Sequence, residues 1–446
     1  MRYRLLSFLL IIASMVLLTG GGWFGPRVDA PPTLALGFLL LAGYLVGFFG
    51  EYVKLPRITG YILAGVLFGP YLCGFFTQRA VLELGFLNNL ALAFIAFCAG
   101  GELKVSNLRD KLRSIISIVL GNVLILAGVT LAVFLAAPFI PFMAGYSRPV
   151  HLGIAAIFGV ISTARSPSSA IAVISELKAR GPFTDVVLAV TVVMDVVVVL
   201  LFAIVLSLCQ VLITPGSHFS PALIFELLLQ IAAAFALGYG LGRGIIFLAD
   251  RVHVELPVIV AGMGFLVIKT CHLLGDHMLD TYHISLHLEP LIICMAAGFT
   301  VQNFSDHGDR FVHSMDRVSM PIYVAFFALS GAAINFEALS SGWMIGLMVV
   351  FIRAVMMYVG TYASSRVVGD PPRIYKYAWL GFITQAGVSL GLLAEVVRRF
   401  PEVGIYVQSI LIAAITVNQI VGPIAFKWVL GFVGEAHIRP ARARAD

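Results

Sequence analysis

The sequence predicts an all-α polytopic membrane protein, and three observations support that prediction. Apolar segments of about 20 residues, the length of a helix that crosses the hydrocarbon core, recur from one end of the chain to the other. Hydrophobic residues fill 60% of the 446 positions, and charged residues only 12%, against about 25% in soluble domains. Most basic residues of the connecting loops fall on one side. The chain therefore leaves no room for a large soluble domain.

Residues 1–30 allow two interpretations. A basic start at Arg2 and Arg4 precedes an apolar run, and Val28-Asp29-Ala30 follows it as a small-residue cleavage pattern. A cleaved signal peptide has these features, and so does an additional membrane helix. Both interpretations stay open.

Thirteen further apolar segments predict thirteen transmembrane helices, which we call spans 1 to 13 in chain order. They lie at about 34–50, 58–76, 86–103, 114–140, 151–174, 184–208, 222–247, 256–274, 285–303, 320–339, 342–366, 376–399 and 404–431. Residues 432–446 form a short tail after the last span.

The distribution of loop charges predicts the orientation. If span 1 runs from outside to inside, the inner loops and the tail hold nearly all of the loop lysines and arginines. The outer loops and helix ends then hold only Arg27, Arg79, Arg148, Arg398 and Arg399. The positive-inside rule places the carboxyl terminus in the cytoplasm and the protein in the cell (inner) membrane. Because topology accounts for the basic residues, the net charge of +6 gives no reason to expect a nucleic-acid partner.

The odd number of spans permits an inverted repeat. With span 7 as a linker, spans 1–6 and 8–13 form two six-helix blocks that enter the membrane from opposite faces. Equivalent spans of the two blocks carry helix-breaking sequences: Ser166-Pro167 in span 5, and Gly381 with Gln385 and Gly387 in span 12. Broken backbone at membrane depth requires protein or a wet cavity around it, so we expect the two broken helices to cross in the core. A plain proline kink in span 5 is the alternative.

Three charged residues are predicted near the middle of the membrane: Asp195 in span 6, Arg165 in span 5 and Arg353 in span 11. Each costs at least about 2.5–3.5 kcal/mol at that depth, so these residues need partners or a water-filled cavity. Asp195 is the only carboxylate assigned there. A carboxylate binds a proton or a small cation at the same oxygens, and this competition is itself an exchange mechanism. The alternative is a structural Arg–Asp pair that locks helices together.

Oxygen atoms near Asp195 are candidate cation ligands. Thr191 lies one turn before Asp195 on the same helix face, and span 5 offers Ser162, Ser166 and the carbonyls freed at its break. Hard cations prefer such oxygen ligands. The sequence therefore predicts an ion and proton site at Asp195, with Thr191, Ser162 and Ser166 around it. No enzyme motif, cofactor fingerprint or metal-ligand spacing is present, so we expect a protein that is not an enzyme and binds no cofactor.

Several segments resemble the monovalent cation:proton antiporter superfamily, especially its Kef-like branch among the Na⁺/H⁺ exchangers. Leu55–Pro70 is similar to the signature of spans 1 and 2 in that family, and Ser162–Phe202 to its ion-binding core. Weaker similarities are found at Phe94–Leu103, at Phe326-Phe327 with Gly331, and at Gln385–Gly391. The resemblance covers most of the chain from about residue 34.

The resemblance implies a homodimer in a lipid bilayer that exchanges a monovalent cation for H⁺. It implies a dimerisation domain at about 34–103 and 256–339, a linker at 222–247, and a mobile core at 114–208 and 342–431 that moves like an elevator. Asp195 matches the essential carboxylate of the family. Arg353 matches a basic residue that neutralises a core carboxylate in relatives.

Two departures from the family pattern affect the expected chemistry. Met194 stands where relatives carry the first member of an Asp-Asp or Asn-Asp pair, and one titratable carboxylate predicts electroneutral exchange of one Na⁺ or K⁺ for one H⁺. Arg165 stands beside the Ser-Pro break, where relatives usually carry a neutral residue. A guanidinium near Asp195 would lower its proton affinity and compete with the cation.

Three other functions stay open at this stage. With two arginines and one aspartate, the core could serve an anion carrier, a cation channel or uniporter, or a non-transporting sensor whose Asp195 is locked by Arg165 and Arg353. An outer His-rich segment allows a metal or pH sensor, although a solvated loop is the simpler interpretation; it contains His272, His277, His283 and His287 with Asp276, Asp280 and Glu289. The glycines of 238–244 lie within an apolar helix, which indicates helix packing rather than a phosphate loop.

Overall fold

The computed structural model describes residues 32–436 except 53–54, 76, 214–220, 252–254, 283–287, 335 and 386. All regular secondary structure in these residues is helical. The segment at 1–30, with its two interpretations, and most of the tail lie outside the described residues.

The α-helices of the described part are numbered α1 to α18 in chain order. Their bounds are Pro32–Tyr52 (α1), Arg57–Phe68 (α2), Gln78–Glu83 (α3), Gly85–Glu102 (α4), Val105–Leu108 (α5), Leu112–Asn122 (α6), Leu124–Ala136 (α7), Arg148–Thr163 (α8), Pro167–Leu177 (α9), Pro182–Ile213 (α10), Pro221–Arg251 (α11), Leu256–Tyr282 (α12), Pro290–Phe304 (α13), Gly308–Ala332 (α14), Phe336–Val368 (α15), Pro372–Tyr377 (α16), Gly387–Arg399 (α17) and Pro401–Val433 (α18). Short 3-10 turns lie at Arg109–Lys111, Ala137–Phe139 and Ala378–Phe382.

Eight helical segments of the described chain are long and apolar enough to cross a membrane: Gly85–Glu102, Arg109–Phe139, Arg148–Leu177, Pro182–Ile213, Leu228–Arg251, Leu256–Gly275, Trp343–Val368 and Pro401–Val433. Four shorter apolar helices accompany them. The chain is therefore a multi-pass α-helical membrane protein. Each predicted span coincides with one helix or with two consecutive helices, while the number of membrane crossings stays a prediction.

The boundary that differs most from its prediction is the start of span 10. It was expected at residue 320, but α14 begins at Gly308. The first turns of α14 are polar, so they carry no apolar signal, and the helix extends beyond the apolar run that the sequence displays.

The helices pack in two groups. The scaffold group comprises α1, α2, α4 and α12–α14, with α4 against α13 and α2 against α14. The core group comprises α6–α10 and α15–α18, with α7 and α10 against α8 and α15 against α18. Helix α11 packs on α13 and also contacts α10. The helix pair α6 and α15 approaches most closely at Gly121 and Gly360, where a Cβ on either residue would collide with the backbone carbonyl of the other.

Several loops that the sequence assigns to the inner side meet at one face of the bundle. Lys111 pairs with Asp185 at the start of α10, with Nζ and Oδ2 2.5 Å apart. Glu435, just after α18, accepts hydrogen bonds from the backbone N–H groups of Phe183 (2.9 Å) and Thr184 (2.8 Å). These contacts cap the first turn of α10, whose N–H groups have no intrahelical partner. We call the side of the protein that carries Lys111, Asp185 and Glu435 the basic face.

Candidate functional site

The first helix break contains Arg165. Helix α8 ends at Thr163, residues 164–166 are extended, and α9 begins at Pro167. Proline lacks a backbone N–H and disfavours helical backbone in the preceding residue, so the helix cannot run through this point. Ser166 then caps α9, because its Oγ accepts a hydrogen bond from Ser169 N at 3.3 Å. Arg165 therefore projects from extended backbone rather than from a helix.

The second break crosses the first. After the 3-10 turn that ends at Phe382, residues 383–385 belong to no helix and α17 begins at Gly387. The two non-helical segments are joined by a backbone hydrogen bond from Ser166 N to Thr384 O, at 2.9 Å. Gly422 of α18 packs directly on Thr384, and a Cβ there would lie 2.7 Å from the Thr384 N and Cα atoms. The crossing is therefore held by backbone contacts on two sides.

Arg353 of α15 is anchored at this crossing, and its side chain is 1% exposed. Its Nε donates to Ser162 O (2.6 Å) and its Nη1 to Ile383 O (2.7 Å). Its Nη2 donates to Ala164 O (3.1 Å) and to Phe382 O (3.2 Å). All four carbonyls lie at or just after a helix end, where carbonyls lack intrahelical partners and carry partial negative charge.

The resemblance implies that Arg353 neutralises a core carboxylate, whereas its hydrogen-bond partners among the described residues are backbone carbonyls. Two broken helices present several unpaired carbonyls in one place, and one guanidinium with five N–H donors can satisfy them together. The charge of Arg353 is thus compensated by these four backbone carbonyls and not by an acidic side chain of the described residues.

Gln385 and Asn418 complete the crossing. The Nε2 of Gln385 donates to Ile161 O at 3.0 Å, and Asn418 Nδ2 donates to Gln385 Oε1 at 2.7 Å. Both side chains are buried at 2% exposure. Sequence reasoning missed Asn418, although an asparagine followed by Gln419 in an otherwise apolar helix was a usable signal.

Arg165 differs sharply from Arg353. It is also 1% exposed, but its Nε, Nη1 and Nη2 have no hydrogen-bond acceptor among the described residues. The guanidinium lies over the ring of Phe382, with its central carbon 4.2 Å from the ring centroid, which is a cation–π contact. The charges that interact with it are those of Arg353 and Asp195. Within the described part of the chain, Arg165 makes no ion pair.

Asp195 lies on α10 and is partly exposed, while one of its oxygens, Oδ1, is buried without a hydrogen-bond donor in the described residues. The preceding Met194 is fully buried. The charges that act on Asp195 are Arg165 and Glu289, the residue that precedes α13. Asp195 is therefore not locked by either arginine in this structure.

The predicted oxygen ligands differ in their availability. The Oγ of Ser162 is buried and has no partner among the described residues. The hydroxyl of Thr191 donates to Val187 O at 2.7 Å, and that of Ser166 donates to Ser169 Oγ at 3.2 Å. A hydroxyl that donates in this way keeps lone pairs for a cation.

Three hydrogen bonds join the core group to the scaffold group near the basic face, a fourth within the core group supports them, and we call the four the inner latch. Glu176 of α9 accepts a hydrogen bond from Arg57 N at 2.9 Å and one from Lys427 Nζ at 3.2 Å. Lys427 of α18 also donates to Leu55 O at 2.9 Å, and Ser175 donates to Asp316 Oδ1 at 3.0 Å. Helix α9 packs on α4 and α2 here, whereas α17, the half-helix on the other side of the crossing, packs on α8, α10 and α18.

Neither the His-rich segment nor the glycine-rich segment at 238–244 forms a second site in the described residues. The described residues contain no group of three or more His, Cys, Asp and Glu side chains able to hold a metal ion. His283 and His287 of the His-rich segment lie outside the described residues. Gly238 and Gly242 lie within α11 and pack against α13, where a Cβ would approach Ile293 O and Ala297 O.

A family model and two relatives match most of this chain. Residues 36–432 match the family model described as sodium/hydrogen exchanger, transmembrane. A probable Na⁺/H⁺ antiporter 3 from Methanocaldococcus jannaschii is 22% identical over 83% of this chain and 89% of its own length. The Na⁺/H⁺-K⁺ antiporter GerN from Bacillus cereus is 20% identical over 81% of this chain and 89% of its own length.

A solved structure has a similar fold. The sodium proton antiporter MjNhaP1 from Methanocaldococcus jannaschii superposes with a TM-score of 0.68 at 18% identity, over 91% of this chain and 98% of its own. The family match covers most of the sequence, and it includes both helix breaks and Asp195. The chain therefore belongs to the transmembrane sodium/hydrogen exchanger family.

Proposed function

We propose that this protein is a secondary active antiporter that exchanges Na⁺ or K⁺ for H⁺, with Asp195 as the site that both ions share. The observation that carries the proposal is the state of Asp195. Its Oδ1 is buried without a donor among the described residues, yet the residue is partly exposed and lies on α10, which packs against the broken helix. A carboxylate with an open coordination position can exchange a proton for a cation. The names of the relatives, which include Na⁺/H⁺ antiporters and an Na⁺/H⁺-K⁺ antiporter, support this class of substrate.

The cation site we propose contains Asp195, the hydroxyls of Thr191, Ser162 and Ser166, and no cofactor. Ser162 is the strongest of the hydroxyl candidates because its Oγ has no other partner in the described residues. Arg353, Pro167, Gln385 and Gly387 act indirectly. They hold the helix crossing in place and keep its carbonyls paired, so that the charge of Asp195 is left for the ion.

We further propose an elevator-like cycle in which the core group carries Asp195 across the membrane against the scaffold group, which forms the homodimer. The proposal includes thirteen membrane spans, two inverted six-helix repeats, and a carboxyl terminus on the cytoplasmic side of the inner membrane. The inner latch supports one stage of such a cycle. We propose that it keeps the basic face closed at that stage, so that ions reach Asp195 from the opposite face.

One proton for each cation follows from the carboxylate count on the moving group. Asp195 is the carboxylate of the core group at this site, and Met194 occupies the neighbouring position. Glu289 also acts on Asp195, but it precedes α13 of the scaffold group, so in the proposed cycle it does not move with the core. We therefore propose an electroneutral exchange.

An anion carrier is the second candidate, and it is favoured by the guanidinium of Arg165, which has no hydrogen-bond acceptor in the described part of the chain. Buried donors with no acceptor would suit a small anion. The family match and the names of the relatives favour the cation.

A proteoliposome assay separates these functions. A pH gradient is imposed across vesicles that contain the wild type, Asp195→Asn, or the exposed control Asp306→Asn, and Na⁺, K⁺ or Li⁺ is then added. We expect the wild type and the control to dissipate the gradient and Asp195→Asn to leave it intact. Equal responses of wild type and Asp195→Asn would contradict the role of Asp195.

A response to anions alone would identify an anion carrier. Dependence of the rate on membrane potential would contradict the one-for-one ratio, and cation flux without proton movement would identify a channel or uniporter.

A further inference from the structure

The side chain of Arg165 is the unexplained feature of the core. Burying a charge without a partner is expensive, so such a group is expected to find an acceptor at some stage of a working cycle. Arg353 has four carbonyl partners, whereas the three nitrogens of Arg165 have none among the described residues. The contact with Phe382 covers one face of the guanidinium and leaves its N–H edges free.

The matching acceptor lies in the same site. Asp195 Oδ1 is buried and has no donor in the part of the chain that the structure describes, and the charge of Asp195 interacts with that of Arg165. The other charges at this point are Glu289, which acts on Asp195 from the start of α13, and Arg353 of α15, which acts on Arg165. Arg353 is already bonded to carbonyls. Arg165 projects from extended backbone in the break between α8 and α9, so its side chain can turn without breaking a helix hydrogen bond.

We propose that Arg165 is a third occupant of Asp195, in competition with the cation and the proton. The inference rests on the proposed function. When Asp195 is ionised and empty, the guanidinium pairs with the carboxylate; when a cation or a proton binds, it withdraws to the ring of Phe382, where it lies in this structure. Arg165 then sets how tightly the site binds both ions, because each must displace it.

Two substitutions should change cation affinity in opposite directions. Arg165→Gln removes the competitor, so the concentration of Na⁺ or K⁺ for half-saturation at alkaline pH falls about tenfold, as expected for the loss of an interaction of about 1.4 kcal/mol. Phe382→Leu removes the resting place of the guanidinium and favours its pairing with Asp195, so the half-saturation concentration rises. Arg165→Lys keeps the charge and stays closer to the wild type.

The pH profile provides a second readout. A nearby cation favours the ionised carboxylate, so removing it makes Asp195 hold its proton to higher pH. The pH at which Arg165→Gln reaches half of its maximal exchange rate therefore rises by about one unit. A purely structural arginine would lower the amount of folded protein without moving this pH or giving affinity shifts of opposite sign.

The experiment is a cation titration of the purified full-length protein in detergent, followed by proton release, for the wild type, Arg165→Gln, Arg165→Lys, Phe382→Leu and Asp195→Asn. Opposite shifts for Arg165→Gln and Phe382→Leu support the inference. If Arg165→Gln fails to fold, weaker cation binding by Phe382→Leu still supports it, and unchanged or tighter binding by that variant overturns it.

Different results would contradict the role of Arg165 and the proposed function of the protein. If the wild type releases protons on cation binding and Asp195→Asn does not, but Arg165→Gln keeps the wild-type affinity and pH profile, only the role of Arg165 is wrong. If the wild type shows no cation binding that depends on Asp195, the proposed function fails and this inference with it. If replacing chloride by gluconate changes the affinity of the wild type but not of Arg165→Gln, the partner of Arg165 is an anion, and the inference is wrong.

Discussion

Arg353 and Arg165 share residue type and burial, but differ in their hydrogen bonds. Arg353 binds the carbonyl ends of both broken helices, while Arg165 lies against an aromatic ring and its donors have no acceptor among the described residues. A buried charge in a transporter can therefore hold the fold together, as Arg353 does, or remain available to an ion site, as we propose for Arg165. The hydrogen-bond partners, and not the burial, decide between these roles.

The largest effect that tests this comparison is expected from Arg353→Gln. Removing the guanidinium leaves buried carbonyls unpaired at the crossing, so we expect a loss of about 3–5 kcal/mol, which is a large part of the total stability. The measurement is the thermal unfolding of the purified protein, with Arg165→Gln as the matched control. Arg165→Gln should unfold close to the wild type. Equal destabilisation by the two substitutions would contradict the division of roles.

A smaller loss is expected from Asn418→Leu. The substitution removes the donor to Gln385 Oε1 and leaves that buried oxygen unpaired, which costs about 1–3 kcal/mol. Thermal unfolding of Asn418→Leu, Gln385→Leu and the double variant measures the coupling between the two residues. If the two losses simply add, the side chains do not act as one unit, and the proposed support of the crossing by Asn418 is wrong.

Weakening the inner latch should change the conformational equilibrium more than the stability. Lys427→Met removes the side-chain hydrogen bonds to Glu176 and to Leu55 O, so we expect the basic face to open more often, by about fivefold for a loss of about 1 kcal/mol. Hydrogen exchange of the amides of α9 and α2 measures this opening. Unchanged exchange in both helices would show that these contacts do not hold the face closed.

The smallest effect is expected at the start of α10, the helix that carries Asp195. Glu435→Gln weakens the acceptor for Phe183 N, Thr184 N and the Thr184 hydroxyl, and should cost about 0.5 kcal/mol, the low end for a lost helix cap, because the amide oxygen of glutamine still accepts. Thermal unfolding against the exposed control Asp306→Asn measures it. A Glu435→Gln variant as stable as the control would show that the cap contributes little.

The sequence predicted more of the fold than of the site. Apolar runs located the helices, and Ser166-Pro167 and Gln385 with Gly387 marked the two interruptions of the helical chain. The partners of Arg353 could not be predicted, because backbone carbonyls carry no side-chain signature. The inner latch was equally hidden: Glu176 and Lys427 are 251 positions apart, and only the packing of α9 against α18 brings them together. That Arg165 does not pair with Asp195 depends on side-chain geometry, which charge counting cannot supply.

The central claim, that one carboxylate serves both ions, is tested most directly by counting protons. Na⁺ or K⁺ is added to the purified protein in a lightly buffered detergent solution, and the released protons are measured for the wild type and Asp195→Asn. The account predicts release that saturates with the cation, approaches one proton for each chain at most, and is absent in Asp195→Asn. Cation binding without proton release, or equal release from Asp195→Asn, would contradict it.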